Sequence, residues 1–211
     1  SAPASDYLHR ALARVAARKP VIAFIRGMGA SGGYLLGCAA TKIVAIPSAL
    51  VGSIGVISIR PLLYEFLRRY GIGVSITKSG RLKDMWYPFR EPTDEEKQKE
   101  QALLDEFYEQ FVSTVARTRN LEPERVRALA TGEIFSARQA KEAALVDELG
   151  DLETAIEMAM ALGNVPRRVA YVRPRRGLRP LLLQRMAGAF VEEVAAVVEQ
   201  GLRGRIDYRL R

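Results

Sequence analysis

Apolar residues recur at helical spacing over residues 4–18, with Tyr7, Leu8, Leu12, Val15 and Ala16 on one side and Ser5 positioned as N-cap. Pro20 ends the pattern, because the residue before a proline is pushed out of the helical region. Residues 21–25 form a continuous, β-branched apolar run, which predicts a buried strand of a parallel sheet. A glycine cluster, Gly27-Met-Gly-Ala-Ser-Gly-Gly33, separates it from a small, apolar helix over 34–40. A second strand is predicted at 42–46, closed by Pro47. A glycine-punctuated loop with a short strand follows at 49–60, then a helix opened by Pro61 through 62–70, and a third strand at 74–77. Residues 78–92 are polar and irregular. Thr93 with Glu96 forms a capping box and opens a long helix to about Arg119. Shorter helices are predicted near 122–130, 136–144 and 151–162, a short strand at 168–173, and a long helix at 179–203 whose apolar stripe suits packing against a neighbour. Strands alternate with helices in the first half and helices dominate the second, so the fold class is α/β.

The 211 residues are 48% hydrophobic and 27% charged, enough for one packed domain with at most an appendage. The boundary is drawn at a core of 1–163 and a basic extension of 164–211. The net charge of +8 lies almost wholly in that extension, which holds 11 arginines against 4 acids. Its segment 167–179 suits the anionic headgroups of a membrane surface, at about 1 kcal/mol per basic residue. It reads equally as a solvated tail beside an oligomer interface. Nucleic acid is not implied, since aromatic interleaving and reading motifs are missing. No window is apolar enough for a transmembrane helix, and the first 20 residues do not look like a secretory leader.

A single cysteine, Cys38, and a single histidine, His9, exclude an internal disulfide and a Cys/His zinc site. Cys38 reads as a core residue. His9 reads as a helix-surface residue, so a histidine-based triad has little support. A catalytic base is then a lysine or a carboxylate, and the chain has only 7 lysines against 25 arginines. Gly27-x-Gly29-x-x-Gly32 matches the dinucleotide fingerprint formally, but no acid closes the next strand, so a nicotinamide cofactor is not expected. The other reading centres on Ser31, at a strand–turn–helix junction with small neighbours and the free N–H groups of a helix start. Ser31 is either a nucleophile or an N-cap. Lys78 and Lys83, in the turn-rich stretch after the third predicted strand, are each either a base of lowered pKa or a solvated loop residue.

Gly29-Ala-Ser-Gly-Gly-Tyr34, Gly52-Ser-Ile-Gly-Val56 and Lys78-Ser-Gly-Arg-Leu-Lys83-Asp occur in an order that resembles the signal peptide peptidase A family. Pro92-Thr-Asp-Glu-Glu96, Gly132-Glu-Ile-Phe-Ser136-Ala-Arg-Gln-Ala-Lys141 and Leu145-Val-Asp147 extend the resemblance over about residues 1–163. The resemblance implies a Clp protease/crotonase-like fold and a serine endopeptidase with a Ser/Lys dyad that cuts hydrophobic peptides, such as remnant signal peptides, and needs no cofactor or metal. It implies Ser31 as nucleophile, Lys83 as general base, Ser53 as the serine that orients that lysine, and Gly32, Gly29 and Leu35 as oxyanion or substrate-binding positions. Leu35, Leu36, Val56 and Ile57 would give the site an apolar lining. Asp84 would favour a protonated Lys83, so its side chain is expected to turn away. The resemblance also implies a ring-like homo-oligomer with sites near subunit interfaces, and a membrane association through an N-terminal anchor that precedes the present chain. The turn that would precede Ser1 is expected to supply an oxyanion donor, worth about 3–4 kcal/mol. Rival readings are a related Ser/Lys protease with another substrate, a crotonase-like acyl-CoA enzyme, and a catalytically silent assembly subunit.

Overall fold

The two continuous β-branched runs become neighbours in a parallel sheet. β1 (Ile22–Ile25) pairs with β3 (Lys42–Ala45), with Phe24 opposite Val44, and β3 pairs in turn with the two-residue β6 (Glu148–Leu149). A second three-stranded sheet has the order β2 (Met28–Ala30), β4 (Leu50–Gly52), β5 (Ile134–Ser136); β2 and β4 are parallel, β4 and β5 antiparallel. This is the α/β arrangement of parallel strands and covering helices expected above. The helices are α1 (Ala2–Ala16), α2 (Gly32–Gly37), α3 (Tyr64–Arg69), α4 (Asp94–Arg119), α5 (Pro123–Leu129), α6 (Ala137–Glu142) and α7 (Leu152–Gly163). The structure, a computed structural model, describes residues 2–172. Of these, residues 2–166 belong to one compact unit. No helix among the described residues is long and apolar enough to cross a membrane.

The core joins β1 and β3 to the last turns of α4. Ile43, Val44, Val51, Ile54, Val112, Val115, Val126 and Leu145 are fully buried. Cys38 lies in this core, and burial pushes its thiol up to about 11. A polar hub sits at one edge. The Asp147 carboxylate accepts from the Ile43 N–H (2.8 Å), Lys42 Nζ (3.0 Å) and the Arg119 guanidinium (2.8 Å), whose Nε donates to the Ala144 carbonyl (3.0 Å). Burial raises the Asp147 carboxyl, and the bonds from Arg119, Ile43 and Lys42 more than offset it, leaving it below its usual range. Tyr34, fully buried, donates its hydroxyl to the Leu145 carbonyl (2.9 Å). The short α2 is thereby tied to residues more than a hundred positions away.

Several expectations change. α1 starts at Ala2, so Ser5 lies inside the helix and caps nothing. Its apolar side, Tyr7, Leu8, Leu12 and Val15, is exposed, and His9 is buried instead. The face turned to α2 is the one that carries Ser5, beside Gly32, and His9, at the Leu35 carbonyl. Residues 74–77 form no strand, because nothing pairs with them among the described residues. Residues 168–172 likewise carry no strand, with Tyr171 and Val172 exposed. Residues 173–179 and the helix read at 179–203 lie outside the described residues.

The Arg119 side chain is only 9% exposed, so Asp147 is the group that makes its burial tolerable. Asp147→Ala leaves that guanidinium without its carboxylate and is expected to lower unfolding stability by roughly 3 kcal/mol, the low end for breaking a buried pair because Asp147 keeps some water. Urea denaturation should show this as a lower midpoint, with Asp147→Asn losing less.

Candidate active site

β2 and β4 run side by side, and their pairing continues one residue beyond β2: the Ser31 N–H donates to the Gly52 carbonyl (2.8 Å). The chain must then turn abruptly into α2. Ser31 takes φ 52° and ψ −125°, a region that L-residues avoid. Ser53, directly after β4, also has positive φ (48°), and its N–H donates to the Glu133 carbonyl (2.7 Å). Non-glycine residues held this way cost about 1–3 kcal/mol each and concentrate at functional sites. The junction depends on Gly52, where a Cβ would sit 2.7 Å from the Phe135 ring.

Ser31 occupies the N-cap position of α2, but its side chain makes no capping bond there. It is exposed at the mouth of a cavity of about 410 Å³. Gly32 and Leu35 of α2 line one wall with Ser31. Pro3, Ser5 and Asp6 of α1 line a second, and Gly55, Val56 and Ile57 a third. Phe107, Gln110, Phe111 and Thr114 of α4 close the fourth. The size and mostly apolar lining suit a small organic group or a peptide side chain. Two contacts set the α1 wall. A Cβ on Gly32 would fall 2.3 Å from the Ser5 hydroxyl, so glycine lets the two helices meet here without moving that side chain. His9 Nδ1 lies 2.8 Å from the Leu35 carbonyl, and since a carbonyl only accepts, Nδ1 carries the proton. The helix leaves that carbonyl free because the Ala39 N–H turns to Leu36. His9 is therefore a buried tie between α1 and α2, not the surface residue expected from the sequence.

The other predicted positions are distributed as follows. Gly29 is buried in β2 opposite Val51 and does not line the cavity; its lack of a side chain lets β2 pass close over Ile25. Leu36 is also outside the lining, whereas Leu35, Val56 and Ile57 are in it. The α4 residues were missed, although Phe107, Phe111 and Thr114 stand at i, i+4 and i+7 on one helix face and so carried a readable signal. Lys83 is exposed, sits in a run of turns over residues 80–87, and does not line the cavity of its own chain.

That run of turns is anchored by charge. Asp84 is 3% exposed and accepts from Lys78 Nζ (2.5 Å) and Arg90 Nε (2.8 Å), so its carboxylate faces these two cations. Arg90 also forms a two-pronged pair with Glu96. Glu96 completes the predicted capping box, accepting from the Thr93 N–H (2.8 Å) while the Thr93 hydroxyl accepts from the Glu96 N–H (3.3 Å). The bonds from Arg90, and after them the Thr93 N–H, overcome burial and hold the Glu96 carboxyl down at about 2. Arg90 and then Lys78 likewise hold Asp84 well below the usual carboxylate range. Arg60 pins the segment from the other side, donating to the Met85 carbonyl (2.8 Å) and to Glu100 (3.2 Å).

The sequence pattern of peptidase family S49 matches residues 13–166. A Methanocaldococcus jannaschii protein designated a protease is 39% identical over 162 residues, which cover 77% of this chain and 52% of that one. An Enterococcus faecium protein designated signal peptide peptidase SppA is 38% identical over 139 residues, covering 65% of this chain and 40% of that one. Among solved structures, an enoyl-CoA hydratase/isomerase family protein from Silicibacter pomeroyi aligns with 18% identity and a TM-score of 0.42, over 77% of this chain and 51% of that one. The chain spans about half the length of the curated relatives it matches.

Two measurements test the strain and the charge cluster. Ser31→Gly is expected to melt higher than Ser31→Ala, by an amount equivalent to roughly 1 kcal/mol, because only glycine relaxes at this φ. Glu96 is ionised more easily in the folded chain than in the unfolded one, so its contribution is complete above its ordinary value of 4.5 and fades as the pH falls toward about 2. Thermal melts between pH 7 and pH 2 should therefore show Glu96→Gln less stable than the parent at neutrality and nearly equal to it at the acid end.

Proposed function

The chain belongs to peptidase family S49, and from that premise we propose that it cleaves hydrophobic peptides, such as remnant signal peptides, with Ser31 as nucleophile and Lys83 as general base. The observation that carries the reading is the state of Ser31. It is held at a strained φ, with its hydroxyl free of any capping bond, on the rim of an apolar cavity.

In the proposed reaction, neutral Lys83 accepts the Ser31 Oγ proton as the oxygen attacks the scissile carbonyl. The Gly32 N–H, next along the chain, donates to the developing oxyanion. Protonated Lys83 then gives its proton to the leaving amine, and an acyl ester remains on Ser31. Water, deprotonated by the same lysine, releases the acid and restores the serine. Ser53 orients the lysine. The substrate side chain enters between Leu35, Val56 and Phe111, which favours an apolar residue before the cut. Gly29 has a supporting part in this scheme, as the residue that lets β2 carry Ser31 close to the sheet.

Lys83 lies outside the cavity lining of its own chain, so we assign the base to a neighbouring copy in a homo-oligomer. The exposure of Ile57, Ile59, Phe66, Trp86 and Tyr87 around this part of the molecule is in keeping with such an assembly. We infer further that the whole protein works at a membrane, where hydrophobic peptides accumulate.

The test is hydrolysis of a fluorogenic apolar peptide. Ser31→Ala and Lys83→Ala should each lose at least about 100-fold, as expected for loss of a nucleophile or its base. Mixing the two dead variants should restore part of the activity, because a mixed interface pairs an intact Ser31 with an intact Lys83. Full activity in either single variant would remove that residue from the mechanism. A mixture as inactive as its components would place the base in the same chain as the serine.

A further inference from the structure

Residues 78–90 carry four cations: Lys78, Arg81, Lys83 and Arg90. Three carboxylates face them, Asp84 from the same segment and Glu95 and Glu96 from the first turn of α4. Arg81 takes Glu95 with both guanidinium nitrogens. Arg90 bridges Asp84 and Glu96. Lys78 places its Nζ 2.5 Å from Asp84 Oδ1 and also donates to the Arg81 carbonyl (2.8 Å). Arg60, the remaining cation that reaches this segment, is matched by Glu100. Among the described residues, Lys83 is the one cation of the four that no ion pair engages.

Asp84 is the carboxylate nearest to Lys83 along the chain, and, as the sequence reading expects, its side chain turns elsewhere, to Lys78 and Arg90. An aspartate in that position would ordinarily pair with the lysine and hold it as an ammonium ion. Here both Asp84 oxygens are taken, and the side chain is 4% exposed. The charges of Lys78, Arg90, Asp84 and Glu96 also cancel, so the cluster beside Lys83 is neutral as a whole. Removing Lys78 would leave Asp84 Oδ1 without its cation and the cluster with one net negative charge. Lys83, adjacent to Asp84 along the chain and without an ion pair of its own, would be the cation left to answer it.

We propose that Lys78 is a positioning residue for the reaction: with Arg90 it pins and neutralises Asp84, so that Lys83 keeps no carboxylate partner and can act as a base. The proposal rests on the assignment of Lys83 above. It gives the first lysine of the Lys-Ser-Gly-Arg-Leu-Lys stretch a part distinct from that of the second. Lys78 touches neither substrate nor Ser31, and acts only through Asp84.

The experiment compares the full chain with Lys78→Met, Lys78→Arg, Lys83→Ala and the double variant Lys78→Met/Asp84→Asn. The acid limb of kcat/KM for the fluorogenic peptide is recorded from pH 6 to 10, with a melting curve for each variant. In parallel, the titration of lysine ε-carbons labelled with carbon-13 is followed by NMR, with the Lys83 signal assigned by its loss in Lys83→Ala. The expected result is that Lys78→Met moves the limb and the Lys83 titration upward by about half a pH unit or more. Lys78→Arg should keep the parent values, and adding Asp84→Asn should bring the shifted values back. A limb and a titration that stay put in Lys78→Met, with Lys83→Ala inactive, would overturn this inference and leave the base assignment standing. Full turnover in Lys83→Ala would overturn both. If no variant turns over, the NMR titration alone decides, by the same shift and reversal. Lys78→Gln, which keeps a donor without the charge, replaces Lys78→Met should the latter unfold.

Discussion

The hydrogen bond from the Ser31 N–H to the Gly52 carbonyl is the constraint around which this molecule is arranged. It prolongs the β2–β4 pairing by one residue, past the point where Ser31 could still lie flat in a strand. α2 must begin immediately afterwards, so the backbone of Ser31 is forced to positive φ. On the other strand, the chain leaves Gly52 through Ser53, also at positive φ, and Ser53 is fixed to Glu133 beside β5. The two serines at the heart of the functional reading thus owe their conformations to one strand pair. Gly52 is what the pair requires, because the Phe135 ring occupies the space of a side chain there.

The remaining structure keeps this junction from relaxing. Tyr34 and the Asp147–Arg119 hub hold α2, β3 and α4 together from the core side. His9 and the Ser5–Gly32 approach hold α1 against the outer side. These ties are polar bonds or glycine contacts, which fix position more sharply than apolar packing, since they lose their energy within a few tenths of an ångström or a few tens of degrees. The apolar groups around the cavity, Leu35, Val56 and Phe111, are left to contact whatever enters it.

Much of this was legible in the residues themselves. β1 and β3 announce themselves by runs of β-branched residues, and α4 by its capping box, because those signals are local. β2, β5 and β6 are two or three residues long and exist only through partners 22 or more positions away, so no window contains their cause. The glycine cluster pointed to Ser31, and the structure supplies what the cluster could not, a strained backbone and an unspent hydroxyl. The orientation of α1 was misread for a physical reason. Hydrophobic spacing shows which side of a helix is apolar, not which side meets a partner, and α2 meets α1 through Gly32 and the free Leu35 carbonyl. The α4 wall stands 76 residues beyond Ser31, and its aromatic residues resemble any core-facing helix until the fold brings them round.

The Tyr34 bond to Leu145 has a consequence for the birth of the protein. The two residues are 111 positions apart, so a ribosome that has just finished α2 still needs roughly ten seconds to supply the acceptor. Until then Tyr34 has no buried partner, α2 is a six-residue helix too short to persist alone, and the turn at Ser31 has little to hold it open. Until residue 145 has been made, the backbone of Ser31 is therefore free to stay in a relaxed, ordinary conformation. Ser31 thus acquires its strained backbone late, once α4 and the residues that follow it as far as Leu145 are available to hold α2 in place.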